Sequence, residues 1–298
     1  MDAVFRIASA QDSNELLALF DREFIASRGR TTSLRRRYPS TYDDASASGW
    51  YLARSADGAL AAGLATRAFS MHDGGKILRG AMLGAVCTDA PYRRRGIGGA
   101  LLQWCAGQLR EAGIEFAVLW SGQPDFYRKL GWRQAPGGVL GRAAGSTGDA
   151  AHEVDLMPAA ACDAQFLETI RARHLATRVL RDPRDYAQLP IPADAVDLLL
   201  WREAGKGAYA LVGRAGSEAI VYEMAGAKQG FPALWQTVLA GHTNILVNDC
   251  RGSDSFSWLS EHARIHWEDK PLALWLPLAG DAVCTGLDPA RIPYFDRI

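Results

Sequence analysis

The sequence predicts a mixed α/β fold, with a central mixed sheet flanked by helices, and three observations support this prediction. Residues 81–87 form a short apolar run between Gly80 and an Asp-Ala-Pro turn, which is typical of a buried strand. The apolar residues that follow recur every four positions and predict an amphipathic helix: Ile97, Leu101, Cys105 and Leu109. At 298 residues, 48% of them apolar, the chain exceeds a usual single domain, so we expect two.

The elements before this helix follow a regular order. Residues 4–7 predict a first strand, and Ser9 or Asp12 can cap a helix whose apolar residues share one face. Residues 27–48 are polar and predict a loop or short helices. Three further strands are expected at residues 50–54, 59–68 and 77–87, joined by Asp-Gly and His-Asp-Gly-Gly turns. Two hairpins therefore precede residue 88.

A basic, glycine-rich segment joins the strand at 81–87 to the helix that begins near residue 97. It reads Pro-Tyr-Arg-Arg-Arg-Gly-Ile-Gly-Gly-Ala-Leu-Leu from Pro91 to Leu102. The first amides of a helix have no intrahelical partner and point outward with the positive end of the helix dipole. Gly96 and Gly98 lack Cβ atoms, so phosphate oxygens can approach the main chain closely. We expect this loop to bind a pyrophosphate.

Two common phosphate loops do not fit these residues. A dinucleotide fingerprint counted from Gly96 and Gly98 places Leu101 where the third glycine should be. A Walker A loop needs Gly-Lys followed by Ser or Thr, and the chain contains neither Lys-Ser nor Lys-Thr. What remains is Arg-x-x-Gly-x-Gly at Arg93, Gly96 and Gly98.

This remaining pattern resembles the coenzyme A loop of the GCN5-related N-acetyltransferase (GNAT) family, which has the form Arg/Gln-x-x-Gly-x-Gly/Ala. A second segment lies where the family places it, after the helix and an apolar strand at residues 114–120. Residues 126–132, Phe-Tyr-Arg-Lys-Leu-Gly-Trp, resemble the family's Phe-Tyr-x-Lys-x-Gly-Phe, with Trp132 in place of the final Phe. Two motifs in the right order indicate the family far more strongly than either alone.

The resemblance implies an acetyl-CoA-dependent enzyme that acetylates a primary amine of a small molecule or peptide. It implies cofactor contacts, mainly through main-chain groups, from Val86, Cys87, Thr88, Arg93, Arg94, Arg95, Gly96, Ile97, Gly98, Gly99 and Ser121. Only one or two of the three loop arginines are expected to face phosphates, because side chains alternate around a loop. Tyr127 aligns with the tyrosine that often protonates the coenzyme A sulfur, and it is the expected catalytic residue.

The general base is not identified by the sequence. Many relatives use a carboxylate on the strand that leads to the cofactor, but residues 80–86 contain none. Candidates by region alone are Glu23, Asp43, Asp44, His72 and Asp125, and a water chain would also serve. The alternative function is therefore a non-catalytic acyl-CoA-binding regulatory or scaffold protein. Cys87 is expected to be a small buried side chain and not an acyl carrier.

The second half repeats the order of hairpin, helix and strand without the basic glycine loop. Residues 137–149 are rich in small residues and predict a linker or an extended strand connection. A helix is expected at 163–178, strands at 208–212 and 219–224, a helix at 231–239 and a strand at 245–247. We expect a GNAT domain at 1–145 and a degenerate GNAT-like or α+β domain at 146–298, an arrangement similar to tandem GNAT proteins of the Eis type.

Composition limits the partners and the compartment. Lys plus Arg (33) equals Asp plus Glu (33), so no overall basic field favours nucleic acid or anionic lipid. The sequence shows no span of membrane-crossing length and no signal-peptide pattern, which predicts a cytoplasmic protein. Five scattered cysteines without a Cys-x-x-Cys pair predict neither a metal site nor a disulfide framework. The acceptor, the acyl length and any homo-oligomer are left open.

Overall fold

The first sheet holds most strands of the amino-terminal half. The computed structural model describes residues 3–43, 49–280 and 286–298. The early strands and helices of this half are β1 (Val4–Ile7), α1 (Ser13–Phe24), α2 (Leu34–Arg37), α3 (Pro39–Tyr42), β2 (Trp50–Arg54), β3 (Leu60–Asp73) and β4 (Lys76–Thr88). They are followed by α4 (Ile97–Glu111), β5 (Phe116–Trp120), α5 (Pro124–Arg128) and β6 (Arg133–Gln134). Strands β1 to β5 lie side by side in chain order.

The second sheet is built mostly from the carboxy-terminal half. Its strands and helices begin with β7 (Gly138–Ala144), β8 (Val154–Pro158), α6 (Ala164–His174), β9 (Thr177–Val179), β10 (Ala195–Glu203), β11 (Lys206–Ala215) and β12 (Glu218–Gly226). The last are α7 (Phe231–Leu239), β13 (Asn244–Cys250), α8 (Asp254–His262), β14 (His266–Asp269) and β15 (Ala273–Pro277). The sheet runs in the order β14-β7-β13-β12-β11-β10-β8. The mixed α/β fold predicted from the sequence is thus present in both halves.

Each sheet contains a single parallel pair among antiparallel neighbours. In the first sheet β4 and β5 are parallel, and helix α4 makes the connection between them. In the second sheet β12 and β13 are parallel, and helix α7 makes the same connection. A parallel pair needs such a crossover, which places the start of the helix beside the carboxyl end of the first strand.

Helices α1 and α4 pack on opposite faces of the first sheet. Leu16 and Phe20 of α1 belong to a buried cluster that includes Trp50. Leu101 and Cys105 of α4 belong to another buried cluster, which includes Tyr51, the residue that follows Trp50 in β2. Because neighbouring residues of a strand point to opposite faces, the two helices enclose the sheet from both sides.

Each half supplies strands to the sheet of the other half. Strand β15, from the end of the chain, pairs with both β5 and β6 and so completes the first sheet. Strand β7 pairs with β13 and β14 in the second sheet. The expected domain limits of 1–145 and 146–298 therefore do not separate the sheets, because residues 138–144 and 273–277 each lie in the other half's sheet. The segment expected to be a linker or an extended strand connection is the exchanged strand β7.

Two other predictions need correction. The helix expected at 163–178 ends at His174, and Thr177–Val179 instead forms β9, which pairs with the end of β3. For the arginine run at residues 35–37, the sequence favours a solvated cluster over contacts with the coenzyme 3'-phosphate or an anionic acceptor, but Arg37 is 2% exposed. Its guanidinium donates to the carbonyl oxygens of Thr32, Leu189 and Ala193, the last at 2.8 Å, and thus joins α2 to the second half of the chain.

We expect Gly145→Ala to destabilise the protein strongly. Gly145 follows β7, and a methyl group at this position would overlap the main-chain carbonyl oxygen of His242, which cannot move without displacing its own segment. The loss in the free energy of unfolding should be about 2–4 kcal/mol, measured by urea denaturation. Gly148→Ala is the matched control, because a methyl group there meets only the Ser146 hydroxyl at 3.5 Å. Equal stability of both variants would contradict the position of β7.

Candidate functional site

Strands β4 and β5 separate partway along the first sheet. Their parallel pairing runs from Gly80 and Phe116 to Met82 and Val118 and extends no further among the described residues. Both strands continue beyond this point, to Thr88 and Trp120. The separation leaves main-chain groups of each strand without a partner in the other and opens a cleft between them.

A bulge in β4 lies at this cleft. Gly63 pairs with Cys87 and Ala65 with Gly84, so Ala85 and Val86 together face the single residue Leu64 of β3. Ala85 has φ +49°, a left-handed conformation that is uncommon for a residue with a Cβ atom. Bulges bend a strand and change the direction of its groups, and this one lies where β4 departs from β5.

The cleft opens into a cavity of about 670 Å³ between the two halves of the chain. One wall is formed by β4 and β5, including Val86 and Ser121, and helices α1 to α3 contribute further residues. Ile191, Tyr294, Arg297 and Ile298 come from the second half. Gly84 lets the last residue approach β4, since a methyl group on it would lie 3.1 Å from the main-chain carbonyl carbon of Ile298.

The loop after β4 presents free amides at the start of α4. Gly96, with φ +78°, precedes the helix and gives it no side-chain cap. The first intrahelical bond runs from the Ala100 amide to the Gly96 carbonyl oxygen, 3.0 Å away, so the amides of Ile97, Gly98 and Gly99 have no acceptor within the helix. A methyl group on Gly98 would lie 2.7 Å from the Thr88 hydroxyl, so the end of β4 and the helix are in close contact.

The three loop arginines have different surroundings. Arg93 donates to the Thr88 carbonyl oxygen at 3.0 Å and forms an ion pair with Glu23 of α1 at 2.7 Å. The Arg95 guanidinium lies over the Tyr92 ring, 5.7 Å from its centre. Arg94 is exposed and has φ +61°. The structure thus holds Arg93 against α1 and leaves the exposed side chains of Arg94 and Arg95 at the loop surface.

Tyr127 lies in the wall of the cavity, close to the end of β5. It belongs to α5 and is 8% exposed. Burial raises the pKa of its phenol to about 12, and a hydrogen bond with the Ser121 side chain opposes this rise. The phenol is therefore protonated at neutral pH and can donate a proton. The Tyr127 and Trp132 rings pack edge to face with their centres 5.9 Å apart, and this contact restrains the tyrosine side chain.

None of the described base candidates lines the cavity. Glu23 is paired with Arg93, and Asp125 forms an exposed ion pair with Arg128 at 2.5 Å. His72 lies near the β3–β4 turn, where its ring contacts the Ala176 carbonyl oxygen at 3.3 Å. Asp43 is absent from the cavity wall, and Asp44 lies outside the described residues.

Two other kinds of site would give different chemistry, a cysteine nucleophile at Cys87 and a metal site. Burial raises the pKa of the Cys87 thiol to about 12, which disfavours the thiolate that a nucleophile requires. Within residues 3–43, 49–280 and 286–298, no group of three or more His, Cys, Asp and Glu side chains could hold a metal ion. In the same ranges, no helix is long and apolar enough to span a membrane.

The parallel pair of the second sheet separates in a similar way, and charged side chains lie close to the separation. Pairing of β12 with β13 ends at Val221 and Val247. Glu223 follows on β12 and contacts Arg181 at 2.5 Å, and Arg181 also pairs with Asp296 at 2.7 Å. These three side chains are almost fully buried. Helix α7 has Pro232 as its second residue, where α4 has Gly98 with its free amide.

Comparison with known proteins agrees with this geometry. Residues 4–135 match the model of the acetyltransferase (GNAT) domain family. No curated protein sequence is significantly similar to the chain. Among solved structures, a GCN5-related N-acetyltransferase from Kribbella flavida is 19% identical with a TM-score of 0.70, and the alignment covers 97% of this chain and 74% of that one.

Two further structures are informative about the arrangement of the halves. Eis1 from Mycobacterium abscessus is 17% identical with a TM-score of 0.61, and the alignment covers 97% of this chain and 76% of that one. A tandem GNAT protein from the clavulanic acid biosynthesis pathway is 12% identical with a TM-score of 0.55, over 94% of this chain and 99% of that one. These likenesses show that the whole chain shares the fold of such proteins.

We expect glycine to be tolerated at position 85 but not at position 81 of the same strand. The left-handed conformation of Ala85 costs about 1 kcal/mol, which Ala85→Gly relieves, so its free energy of unfolding should change by less than about 0.5 kcal/mol. Ala81 is fully buried in paired β-structure, and Ala81→Gly should lose about 1 kcal/mol or more. Urea denaturation compares the two variants. Equal losses would argue against the bulge.

Proposed function

Because residues 4–135 match the acetyltransferase (GNAT) domain family, we propose that the protein transfers an acetyl group from acetyl-CoA to a primary amine of a small molecule or peptide. The amine would attack directly while both substrates are bound. The observation that carries this proposal is that one cavity contains the cleft between β4 and β5, the bulge at Val86 and the buried phenol of Tyr127.

The residues present suit each part of coenzyme A. The free amides of Ile97, Gly98 and Gly99 would hold the pyrophosphate, assisted by the positive end of the α4 dipole. The pantetheine arm would lie in the cleft and hydrogen-bond with the main chain of Val86, Cys87 and Thr88. Arg94 and Arg95 would meet phosphate oxygens at the loop surface, while Arg93 keeps the loop against α1.

Acyl transfer at this site would need a donor for each negative charge that develops. As the amine nitrogen bonds to the thioester carbon, charge grows on the carbonyl oxygen, and the main-chain amide at the β4 bulge would stabilise it. The carbon–sulfur bond then breaks, and the phenol of Tyr127 would give its proton to the departing sulfur. Ser121 would orient that phenol through their hydrogen bond.

The attacking amine must be neutral. Among the described residues that line the cavity there is no Asp, Glu or His whose side chain could take its proton. We propose that water in the cavity removes it, or that the neutral amine enters from solution. Either route predicts a rate that rises with pH as the amine of the acceptor deprotonates. The phenol of Tyr127 would later recover its proton from solvent, which closes the cycle.

We expect Gly98→Val to weaken acetyl-CoA binding at least about tenfold, measured by isothermal titration. A branched side chain at Gly98 would collide with Thr88 and cover the amides proposed to hold the pyrophosphate. Gly107→Val is the matched control, because Gly107 lies in the same helix, its Cβ would meet open space, and the helix-propensity cost is similar. Unchanged affinity of Gly98→Val would contradict the proposed phosphate site.

We expect Tyr127→Phe to lower kcat about a hundredfold while the KM for acetyl-CoA changes little, since the phenol acts only as the sulfur leaves. Because burial raises the pKa of Tyr127 to about 12, the phenol stays protonated and competent up to about pH 11. The wild-type rate should therefore show no alkaline decline due to this group below that pH. Thiol release from acetyl-CoA over a panel of amines measures both effects.

Tyr209→Phe is the control for the loss of a buried hydroxyl, because Tyr209 lies in β11 and its hydroxyl has no hydrogen-bond partner in the described structure. An undiminished kcat in Tyr127→Phe would remove Tyr127 from the mechanism. Tight binding of acetyl-CoA without thiol release for any amine would instead favour the acyl-CoA-binding regulatory or scaffold role.

A further inference from the structure

The cavity beside the β4–β5 cleft carries positive charge and no acidic side chain. Of the described residues that line it, only Arg28 and Arg297 have charged side chains, and none is Asp or Glu. Apart from Gln123, the other large side chains of the wall are apolar or aromatic, including Tyr38, Tyr42 and Trp120. A cavity of this kind favours a ligand with a negative charge and disfavours a polycation.

Arg297 lies close to the proposed reaction centre. Its guanidinium is 5.1 Å from the centre of the Trp120 ring and 5.1 Å from that of Tyr294. Trp120, Ser121 and Tyr127 line the same cavity. Burial lowers the pKa of Arg297 to about 10, so it is still charged at neutral pH. Its hydrogen bonds go to the Ile292 carbonyl oxygen, and no carboxylate of the described residues forms an ion pair with it.

The nearby charges of Asp296 and Asp249 favour the charged form of Arg297 without forming an ion pair with it. The carboxylate of Asp296 instead binds Arg181, with two hydrogen bonds at 2.7 and 2.9 Å. Arg297 uses its Nε and one Nη on the Ile292 carbonyl oxygen, so the other Nη has no acceptor unless water or a ligand provides one. The position of Arg297 in the cavity wall allows a bound anion to do so.

Arg28 presents the second positive charge from the end of α1. It lies over the Phe24 ring at 5.8 Å and forms no ion pair in the described structure. The acidic residues near this end of the helix are occupied, because Glu23 pairs with Arg93 and Asp89 with Arg22 at 2.6 Å. Two arginines from distant parts of the chain therefore reach one cavity without local partners.

We propose that the amine acceptor of this site carries an anionic group, a carboxylate or a phosphate, that Arg297 and Arg28 bind. This inference rests on the proposed function and names its substrate class. The pyrophosphate of coenzyme A would occupy the amides at the start of α4, so the two cavity arginines are left for the acceptor. The tyrosine rings of the wall would pack against an apolar or aromatic body of the same molecule.

The test uses amines that differ only in the anionic group. Thiol release from acetyl-CoA is measured for tyrosine against tyramine and for phosphoethanolamine against ethanolamine, with spermidine as a polycation. We expect kcat/KM to be at least about tenfold higher for the anionic member of one pair, since a charge-assisted hydrogen bond discriminates by this factor or more. The pair that shows the preference tells carboxylate from phosphate.

Two variants locate the preference. Arg28→Gln and Arg297→Gln should each reduce kcat/KM about tenfold for the amine with the anionic group and leave kcat/KM for the amine without it within about twofold. Arg28 is exposed, so its replacement leaves the core intact if Arg297→Gln folds poorly. Arg264→Gln, an exposed arginine outside the cavity, is the charge-matched control and should change neither value.

The possible results separate this inference from the proposed function. Turnover that favours tyramine, ethanolamine or spermidine overturns the anionic acceptor and leaves the acetyltransferase standing. Equal losses for both members of a pair in Arg28→Gln and Arg297→Gln assign these arginines a structural role and overturn the inference as well. Absence of thiol release with every amine overturns the proposed function, and the anionic acceptor with it.

Discussion

The separation of two parallel strands determines where everything else in the candidate site lies. Two strands that run in parallel must be joined by a crossover, and here helix α4 begins directly after β4. The pairing stops at Met82 and Val118, and the bulge at Ala85 turns β4 away. A cleft, unpaired main-chain groups and a helix amino terminus therefore meet at one end of the pair. Ligands of open α/β sheets bind at this kind of position.

The second sheet repeats this topology with different side chains. Its parallel strands also part, but there Arg181 lies between the carboxylates of Glu223 and Asp296 and forms ion pairs with both. Pro232 in the first turn of α7 removes an amide that could otherwise face a phosphate. The two halves thus share an architecture, while the Arg-x-x-Gly-x-Gly pattern precedes the crossover helix in the first half and not in the second.

Local elements were predictable from the sequence, and the long-range arrangement was not. The strand at residues 81–87, the basic glycine loop and helix α4 each depend on neighbouring residues. Val86, Ser121 and Tyr127, which the resemblance implies for the site, all line one cavity. The exchanged strand β7 is rich in glycine and alanine, so its composition resembles a connection and only its pairing identifies it. Arg28 and Arg297 are isolated arginines that no motif marks, and their convergence depends on how the halves meet.

The reciprocal exchange of β7 and β15 has a consequence for how this chain is made. The amino-terminal half emerges from the ribosome first, yet the position between β5 and β6 is filled only after residue 277 has been synthesised. Strand β7 likewise waits for β13 before it has a neighbour. The nascent polypeptide must therefore hold open strand edges through most of its translation, and both halves reach their final form together.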